Sequence, residues 1–582
     1  MRFDVAVCGG GLAGLCVARQ LHREVPEAKV AVLERSRRPI PEACHKVGES
    51  HVELSSHYLG KILGLEENLE ARHLKKNGLR FLCGDSQGPI AARPEIGPAE
   101  FPLVPSYQID RGRLESDLRA LCEQEGVALL EGVDVHDIEL RGHGDHLVRT
   151  SEGEVRARWV IDASGRRRLL QKKLGLRRES PVAASAAWFR VRDGVRIGQL
   201  VPESERQWHA RDIDDTRWLS TVHLMGVGYW VWIIPLASGY TSVGVVANAD
   251  THAFRGFNTP QRMRAWLARH EPRLAERLAD VPFEDFGVRH DYSYMTAQVL
   301  SAERWACVGE AAFFLDPLYS LGNDFLSMAN SFAVRCIGDD LRGDLDPAAA
   351  AELEGILLLL AADSSRTLSG NSRIFGDADV LGTKVWWDFF NYWGFSCRFF
   401  FSELWREPLD ELRRFRAMAQ RWYDLNTHAQ RVLEAWARLR EPGQAPRKKF
   451  VAMPAPRTVL ADLHGSLLED RDAEAAYARM EADHAVGVAL VTELLVQALL
   501  DLGPTRAAAL GEAVGLGRDW TLPISPERLA AEGLGRRERL SRLPPVARDL
   551  QRAVGRARSD TALAELLRLA EGAREAAVMA PN

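Results

Sequence analysis

Asp4-Val-Ala-Val-Cys-Gly-Gly-Gly-Leu-Ala-Gly14 decides the fold of this chain, because an apolar strand runs straight into a glycine turn and Leu12 opens a helix that continues to about Glu24. A second strand, Lys29-Val-Ala-Val-Leu33, follows and completes a βαβ unit. Near-continuous apolar strands of this kind belong to a parallel sheet covered on both faces. Each glycine has a separate task. Gly9 permits the tight turn, Gly11 lets the backbone approach a phosphate, and Gly14 lets the helix pack against the strand. Leu12 and Ala13 stand in the first helical turn, whose free N–H groups and dipole favour an anion. Glu34 lies twenty residues beyond Gly14, where a carboxylate reaches ribose hydroxyls; a plain surface acid is the ordinary alternative. The pattern predicts a bound dinucleotide but does not separate nicotinamide from flavin.

The surrounding composition narrows the class. At 582 residues, with 46% hydrophobic and 27% charged, the chain is too long for one ordinary domain. Lys and Arg number 75 against 80 Asp and Glu, so a net charge of -5 offers no basic field for nucleic acid. Cys8, Cys16, Cys44, Cys83, Cys122, Cys307, Cys336 and Cys397 show no C-x-x-C spacing, which signals neither a metal site nor a disulfide framework. Free thiols suit a reducing cytoplasm, and Phe3 already belongs to a predicted strand, leaving no signal-peptide pattern. The apolar stretch Val486 to Leu500 is interrupted by Glu493 and Gln497 and reads as too short to span a bilayer, so a soluble, cytoplasmic protein without a transmembrane segment is expected.

Along the chain the texture changes several times. The expected fold class is α/β, α+β overall: a Rossmann-like dinucleotide domain in residues 1–180, an antiparallel substrate-side sheet in 181–285, and a return of the first domain in 286–345. The sheet is read from Ala186 to Arg192 and Trp218 to Leu224, and the return from Trp305-Ala-Cys-Val308 with a helix containing Ala329 to Arg335. Residues 346–440 read as an aromatic-rich helical cover and 441–582 as a helical extension, with a linker near Pro442 to Arg447 and a helix stop at Leu543-Pro544-Pro545.

Three further segments choose between cofactors. Tyr107-Gln-Ile-Asp-Arg111, Val160-Ile-Asp-Ala-Ser-Gly-Arg166 and Val308-Gly-Glu-Ala-Ala-Phe-Phe-Leu-Asp-Pro317 together resemble the flavoprotein monooxygenase superfamily. The resemblance implies FAD, held by Arg111, Asp162, Gly309, Glu310 and Asp316 along with the glycine turn, Glu34 and Ser50. Glu310 stands where that superfamily usually carries Asp.

Within the superfamily, His45-Lys-Val-Gly-Glu-Ser50, Lys76-Asn-Gly-Leu-Arg-Phe81, Trp230-Val-Trp-Ile-Ile-Pro235 and Asp316-Pro-Leu-Tyr-Ser-Leu-Gly322 resemble motifs of the flavin-dependent halogenases. Lys75 and Lys76 would ordinarily be two solvated charges, and the tryptophans ordinary core. The resemblance instead makes Lys76 the catalytic residue, presenting an oxidised halogen to an electron-rich carbon. It makes Trp230, Trp232 and Pro235 a rigid wall between flavin and substrate, and it gives the backbone amides of Leu321 and Gly322, with Ser320 shaping the turn, to the halide. The implied cofactors are reduced FAD and chloride or bromide, with a separate flavin reductase as partner. Tryptophan halogenases place a glutamate before this serine; Tyr319 stands here, which favours phenolic or pyrrolic rings, free or carrier-bound, in secondary metabolism, with Asp324 and Glu49 as substitute bases.

The aromatic run Trp386 to Phe395 with Phe399 to Phe401 reads as core packing or as an apolar substrate chamber. His464 and His484 read as surface residues, and the tail as an appendage that closes the site, supports a homodimer or docks a carrier protein. An FAD monooxygenase that uses no halide is the rival activity. A flavoprotein that modifies or chaperones a protein-bound substrate is the rival from another class.

Overall fold

The computed structural model describes residues 1–39, 46–192, 194–441, 443, 446–469, 472–524, 528, 536–555 and 563–579. Cys44, His45 and, within the expected linker, Pro442, Gln444 and Ala445 lie outside the described residues.

Two eight-stranded sheets organise these residues. In the first, Arg2–Cys8 lies between Val30–Glu34 and Gly153–Asp162, flanked further out by Ala128–Glu131 and Trp305–Cys307, these five parallel to one another, with His146–Thr150 and Leu300–Ser301 added antiparallel. Val5, Ala6 and Val7 are wholly buried, as a strand covered on both faces requires. The return strand joins by pairing Val160 with Trp305. The helix Leu12–Glu24 buries Leu15, Val17, Ala18 and Leu21, and it places His22 and Arg23 in its last turn, where the dipole favours positive charge.

The second sheet centres on Tyr240–Asn248, antiparallel to both Ala184–Arg192 and Tyr229–Pro235, with Thr221–Gly226 antiparallel to the latter. The strand expected from Trp218 begins instead at Thr221, because Arg217–Leu219 forms a 3-10 turn in which the Arg217 guanidinium lies 3.8 Å from the centre of the Trp208 ring. Nor does the sheet stay within residues 181–285 or remain purely antiparallel. Leu79–Leu82 pairs parallel with Thr221–Gly226, Glu95–Gly97 pairs with Leu79–Leu82, and Phe450–Ala452 adds a parallel edge. Those short strands read as polar because Arg80 and Glu95 are charged, yet the two bury together as an ion pair.

Helices fill the rest. Pro347–Leu368, Ala378–Asn391, Leu409–Leu439 and Ala473–Leu502 pack on one another, with Pro347–Leu368 also against the strand Leu300–Ser301 of the first sheet. Ala473–Leu502 corrects the reading of length: at 30 residues and a mean hydropathy of 1.9 in its most apolar window, it is long and apolar enough to cross a membrane. It packs as a core helix, with 72% of that window buried. Its Glu493 forms a buried pair with Arg528 and its Asp501 a buried pair with Arg440. His464 is buried, not on the surface, and His484 is half-buried with its ring edge-on to Trp422. All the described cysteines are free and buried.

Candidate active site

The glycine turn is built as tightly as its sequence requires. Gly9 has φ +127°, and a Cβ there would come within 2.3 Å of the Ala163 carbonyl; one on Gly14 would come within 1.9 Å of the Gly9 carbonyl. Gly11 differs, since a Cβ would meet no atom within 4 Å and would project into the mouth of the cradle. Gly11 caps the helix that begins at Leu12 and Ala13, so the free amides face that mouth. Glu34 receives the Gly10 N–H at 2.7 Å and the Ser36 N–H at 2.8 Å, which fixes its carboxylate beside the turn. These residues fit a dinucleotide pyrophosphate and its ribose.

The other expected contacts divide. Gly309 sits at φ +56°, where a Cβ would lie 3.0 Å from that of Ala13, so the return segment abuts the head of the first helix. Glu310 is partly exposed, 3.6 Å from Arg166. Asp162 turns inward: its oxygens accept the N–H groups of Ser164 and Leu170, and they hold the loop after the strand. Asp316 is likewise committed, to the Tyr292 hydroxyl at 2.6 Å and the Leu318 N–H at 2.9 Å, and burial pushes its carboxyl up to about 6. Both acids therefore shape loops with the oxygens expected to meet a cofactor.

Gly48, Glu49 and Ser50 form a junction. Arg111 donates to the Val47 carbonyl at 2.5 Å, and Asn323 to the carbonyls of Gly48 and Ser50 at 3.4 and 3.5 Å. Arg190 from the second sheet bridges Glu49 and Asp285, all three buried. Glu49 is thus tied up in this ion-pair network, away from the substitute-base role. Ser50 Oγ is 2.8 Å from Thr221 Oγ1 and accepts from Lys76 Nζ at 2.9 Å.

Lys76 is buried at this junction. It sits between the strands Leu74–Lys75 and Leu79–Leu82, is 1% exposed, and donates also to the His51 carbonyl at 3.1 Å. Burial lowers its ammonium to about 8, while the charges of Glu53 and Asp324 oppose that shift. An amine poised near neutrality can donate a proton or act as a nucleophile. Lys75, by contrast, is exposed. Lys76 lies on the wall of a cavity of about 60 Å³, shared with Glu53, Tyr319, Leu321, Trp393 and His464.

The loop after Asp316 is strained. Tyr319 and Ser320 adopt φ of 64° and 65°, conformations that only special surroundings hold in non-glycine residues. The bend turns the Tyr319 ring to the cavity, and its hydroxyl donates to Asp388 at 2.8 Å. Leu321 then caps the helix Gly322–Arg342, and a Cβ on Gly322 would meet no atom within 4 Å. Free first-turn amides at Leu321 and Gly322 beside an open cradle fit a small anion. Asp324 accepts from the Ser55 N–H and the Tyr392 hydroxyl, and burial raises it to about 7.

Trp230 and Trp232 share a strand face with ring centres 5.8 Å apart. Neither they nor Pro235 line the cavity. They stand behind it in a run of rings: Tyr319 to Phe81 at 5.9 Å, Phe81 to His223 at 4.7 Å, and His223 to Trp230 at 5.4 Å. The aromatic helices serve both readings made of them. Trp386, Trp387 and Phe390 are core, whereas Phe389, Tyr392 and Trp393 face the cavity around the π-helical turn Tyr392–Cys397.

Sequence reasoning missed Glu53, His464 and a buried network behind the cavity wall. There Asp388 binds Lys384 at 3.1 Å and Gln430 at 2.9 Å, and Asp363 binds Asn391 and Asn426. Glu53 could have been noticed as a carboxylate just beyond Ser50; the others carry no local signal.

Comparison with known proteins shows what the chain is similar to. The tryptophan halogenase family matches residues 87–354, which hold the Trp230 strand and the Ser320 loop but not Lys76. A 1H-pyrrole-2-carbonyl-(peptidyl-carrier protein) chlorinase of Pseudomonas fluorescens is 27% identical over 342 residues, 55% of this chain and 72% of that protein. Flavin-dependent halogenase chlA of Dictyostelium discoideum is 23% identical over 428 residues, 67% of this chain and 69% of that one. The crystal structure of halogenase PltM in complex with phloroglucinol and FAD shares the fold, with a TM-score of 0.64 at 18% identity, covering 83% of this chain and 96% of the other. With its glycine turn, buried lysine and strained serine loop, the chain is similar to the flavin-dependent halogenases, a family of FAD-dependent enzymes.

Proposed function

We propose that the cavity beside Lys76 is where a small electron-rich aromatic ring, phenolic or pyrrolic, is halogenated with chloride or bromide. The observation that carries this reading is the buried Lys76 Nζ on the wall of an aromatic-lined cavity that also touches Leu321 of the halide loop. Reduced FAD, with O2 and halide, supplies the oxidised halogen when bound. The chain's own residues do the rest. The glycine turn and Glu34 hold the dinucleotide, and the amides of Leu321 and Gly322 hold the halide. Lys76, steadied by Ser50 and the His51 carbonyl, hydrogen-bonds hypohalous acid or carries the halogen as a haloamine, and presents it to the ring. Phe389 and Trp393 supply apolar walls that keep water from consuming it.

A pyrrole or phenol attached to a carrier protein extends the same chemistry, and the chlorinase relative supports testing it. The decisive assay supplies FAD, a separate flavin reductase, NADH, O2 and bromide or chloride to phenolic and pyrrolic probes, free and carrier-bound. Lys76→Ala is expected to lower halogenation by about 10²-fold or more while FAD still binds. A monooxygenase indifferent to halide would instead turn over the probes with Lys76→Ala nearly as active as the native enzyme, and that result would sink the reading.

A further inference from the structure

The cavity holds a carboxylate–imidazole pair that the chemistry of Lys76 leaves unused. Glu53 opens the short helix Glu53–His57 just after Ser50, and His464 stands near the end of the helix Val459–Gly465. Though 411 residues apart in sequence, His464 Nε2 and Glu53 Oε1 lie 3.3 Å apart, and both side chains line the cavity with Lys76. Trp393 holds the imidazole in place, with ring centres 4.7 Å apart.

The neighbouring carboxylates are engaged elsewhere. Asp388 is bound by Tyr319, Lys384 and Gln430, Asp363 by Asn391 and Asn426, and Asp324 by Ser55 and Tyr392. Burial works against a charge on Glu53, but the His464 hydrogen bond and the nearby Lys76 ammonium outweigh it and hold the carboxyl below its ordinary range. Glu53 is therefore ionised at neutral pH on the cavity wall.

We propose that Glu53, positioned by His464, is the base of this cavity and takes the hydroxyl proton of a phenolic substrate as Lys76 delivers the halogen. The inference rests on the halogenation reading. As the ring carbon forms its bond to halogen, the halogen–oxygen bond of hypohalous acid breaks. The leaving hydroxide takes a proton from the Lys76 ammonium and departs as water. The substrate hydroxyl gives its proton to Glu53, so a neutral dienone forms in place of a ring cation. Loss of the ring C–H proton to solvent then restores aromaticity while Glu53 returns its proton to oxygen and solvent reprotonates Lys76. The sum is one aromatic C–H and one hypohalous acid giving one aryl halide and one water. His464 is a positioning residue, and through it the C-terminal segment completes the site.

The test uses the full-length, FAD-loaded protein and its Glu53→Gln, Glu53→Asp and His464→Gln variants. Calorimetric binding of phenol against anisole reads the hydroxyl contact without turnover. The native protein is expected to prefer phenol by about tenfold, Glu53→Gln to lose that preference, Glu53→Asp to keep part of it, and His464→Gln to weaken it. In turnover, aryl halide formed per hypohalous acid captured by monochlorodimedone is expected to fall by about 10²-fold in Glu53→Gln. A folded Glu53→Gln that still prefers phenol and halogenates like the native enzyme would overturn the assignment of Glu53. Failure of the native enzyme to release any hypohalous acid would instead overturn the halogenation reading, and the step with it.

Discussion

Lys76 shows what burying an ammonium costs a fold. Burial depresses its ammonium from 10.5 to about 8, so the folded protein binds that proton less tightly than the unfolded chain. The penalty is complete below pH 8 and is relieved as pH rises from 8 through 10.5, because the native group then loses its charge while the unfolded one keeps it. At about 1.4 kcal/mol per pKa unit, the burial costs about 3 kcal/mol at pH 7. Lys76→Met, close in shape and uncharged, is accordingly expected to raise unfolding stability by up to about 3 kcal/mol at pH 7 while abolishing halogenation. Denaturant titrations at pH 7 and 9.5 check this: the gap between variant and native protein should narrow at the higher pH. Lys76 was legible in sequence through its spacing to Gly78 and Phe81. Its depressed ammonium was not, because burial comes from remote segments such as His51 and Tyr392.

Among the elements, the Asp316 to Gly322 loop does the most with the least regular structure. Two successive non-glycine residues at positive φ store backbone strain of about 1–3 kcal/mol each, held by the Tyr319–Asp388 bond on one side and by the helix Gly322–Arg342 on the other. A β-branched residue suits that conformation worst. Ser320→Val is expected to lower stability by about 1–3 kcal/mol, whereas Ser320→Gly should stay within about 1 kcal/mol of native. Thermal unfolding of the two variants checks the difference, and equal effects would deny the strain. The loop's motif was visible in sequence. The orientation of Tyr319 toward Asp388 was not, since it depends on a helix that begins more than fifty residues later.

Across the whole molecule, the C-terminal extension is wired into the body it covers. Asp501 receives Trp436 Nε1 at 2.8 Å, Arg440 Nε at 2.9 Å and Arg447 Nη2 at 2.5 Å, and Arg440 also pairs with Asp377 and Asp379 at the start of the aromatic helix. Removing the carboxylate takes one partner from each of two buried cations that keep Asp377 or Asp379, so Asp501→Ala is expected to cost about 1–3 kcal/mol in denaturant unfolding. The extension also adds the strand Phe450–Ala452 to the second sheet and sets Met453, Pro454 and His464 on the cavity wall. Substitutions that loosen it should therefore reduce aromatic halogenation as well as stability.

The opening strand, glycine turn and helix were determined by sequence alone, because a turn that tight admits only glycine and a strand buried on both faces must be apolar along its length. The family motifs at Lys76, Trp230 and Ser320 were equally local. What only the tertiary structure decided is which distant residues meet. Arg80 and Glu95 become a buried strand pair, the Asp162 and Asp316 carboxylates turn to backbone amides, and His464 leaves the surface to face Glu53. The His464 contact depends on a partner far away in the chain, whereas the two aspartates bond within their own loops, whose bends are set by packing. Local pattern records the need for such a partner but not its identity, and packing supplies it.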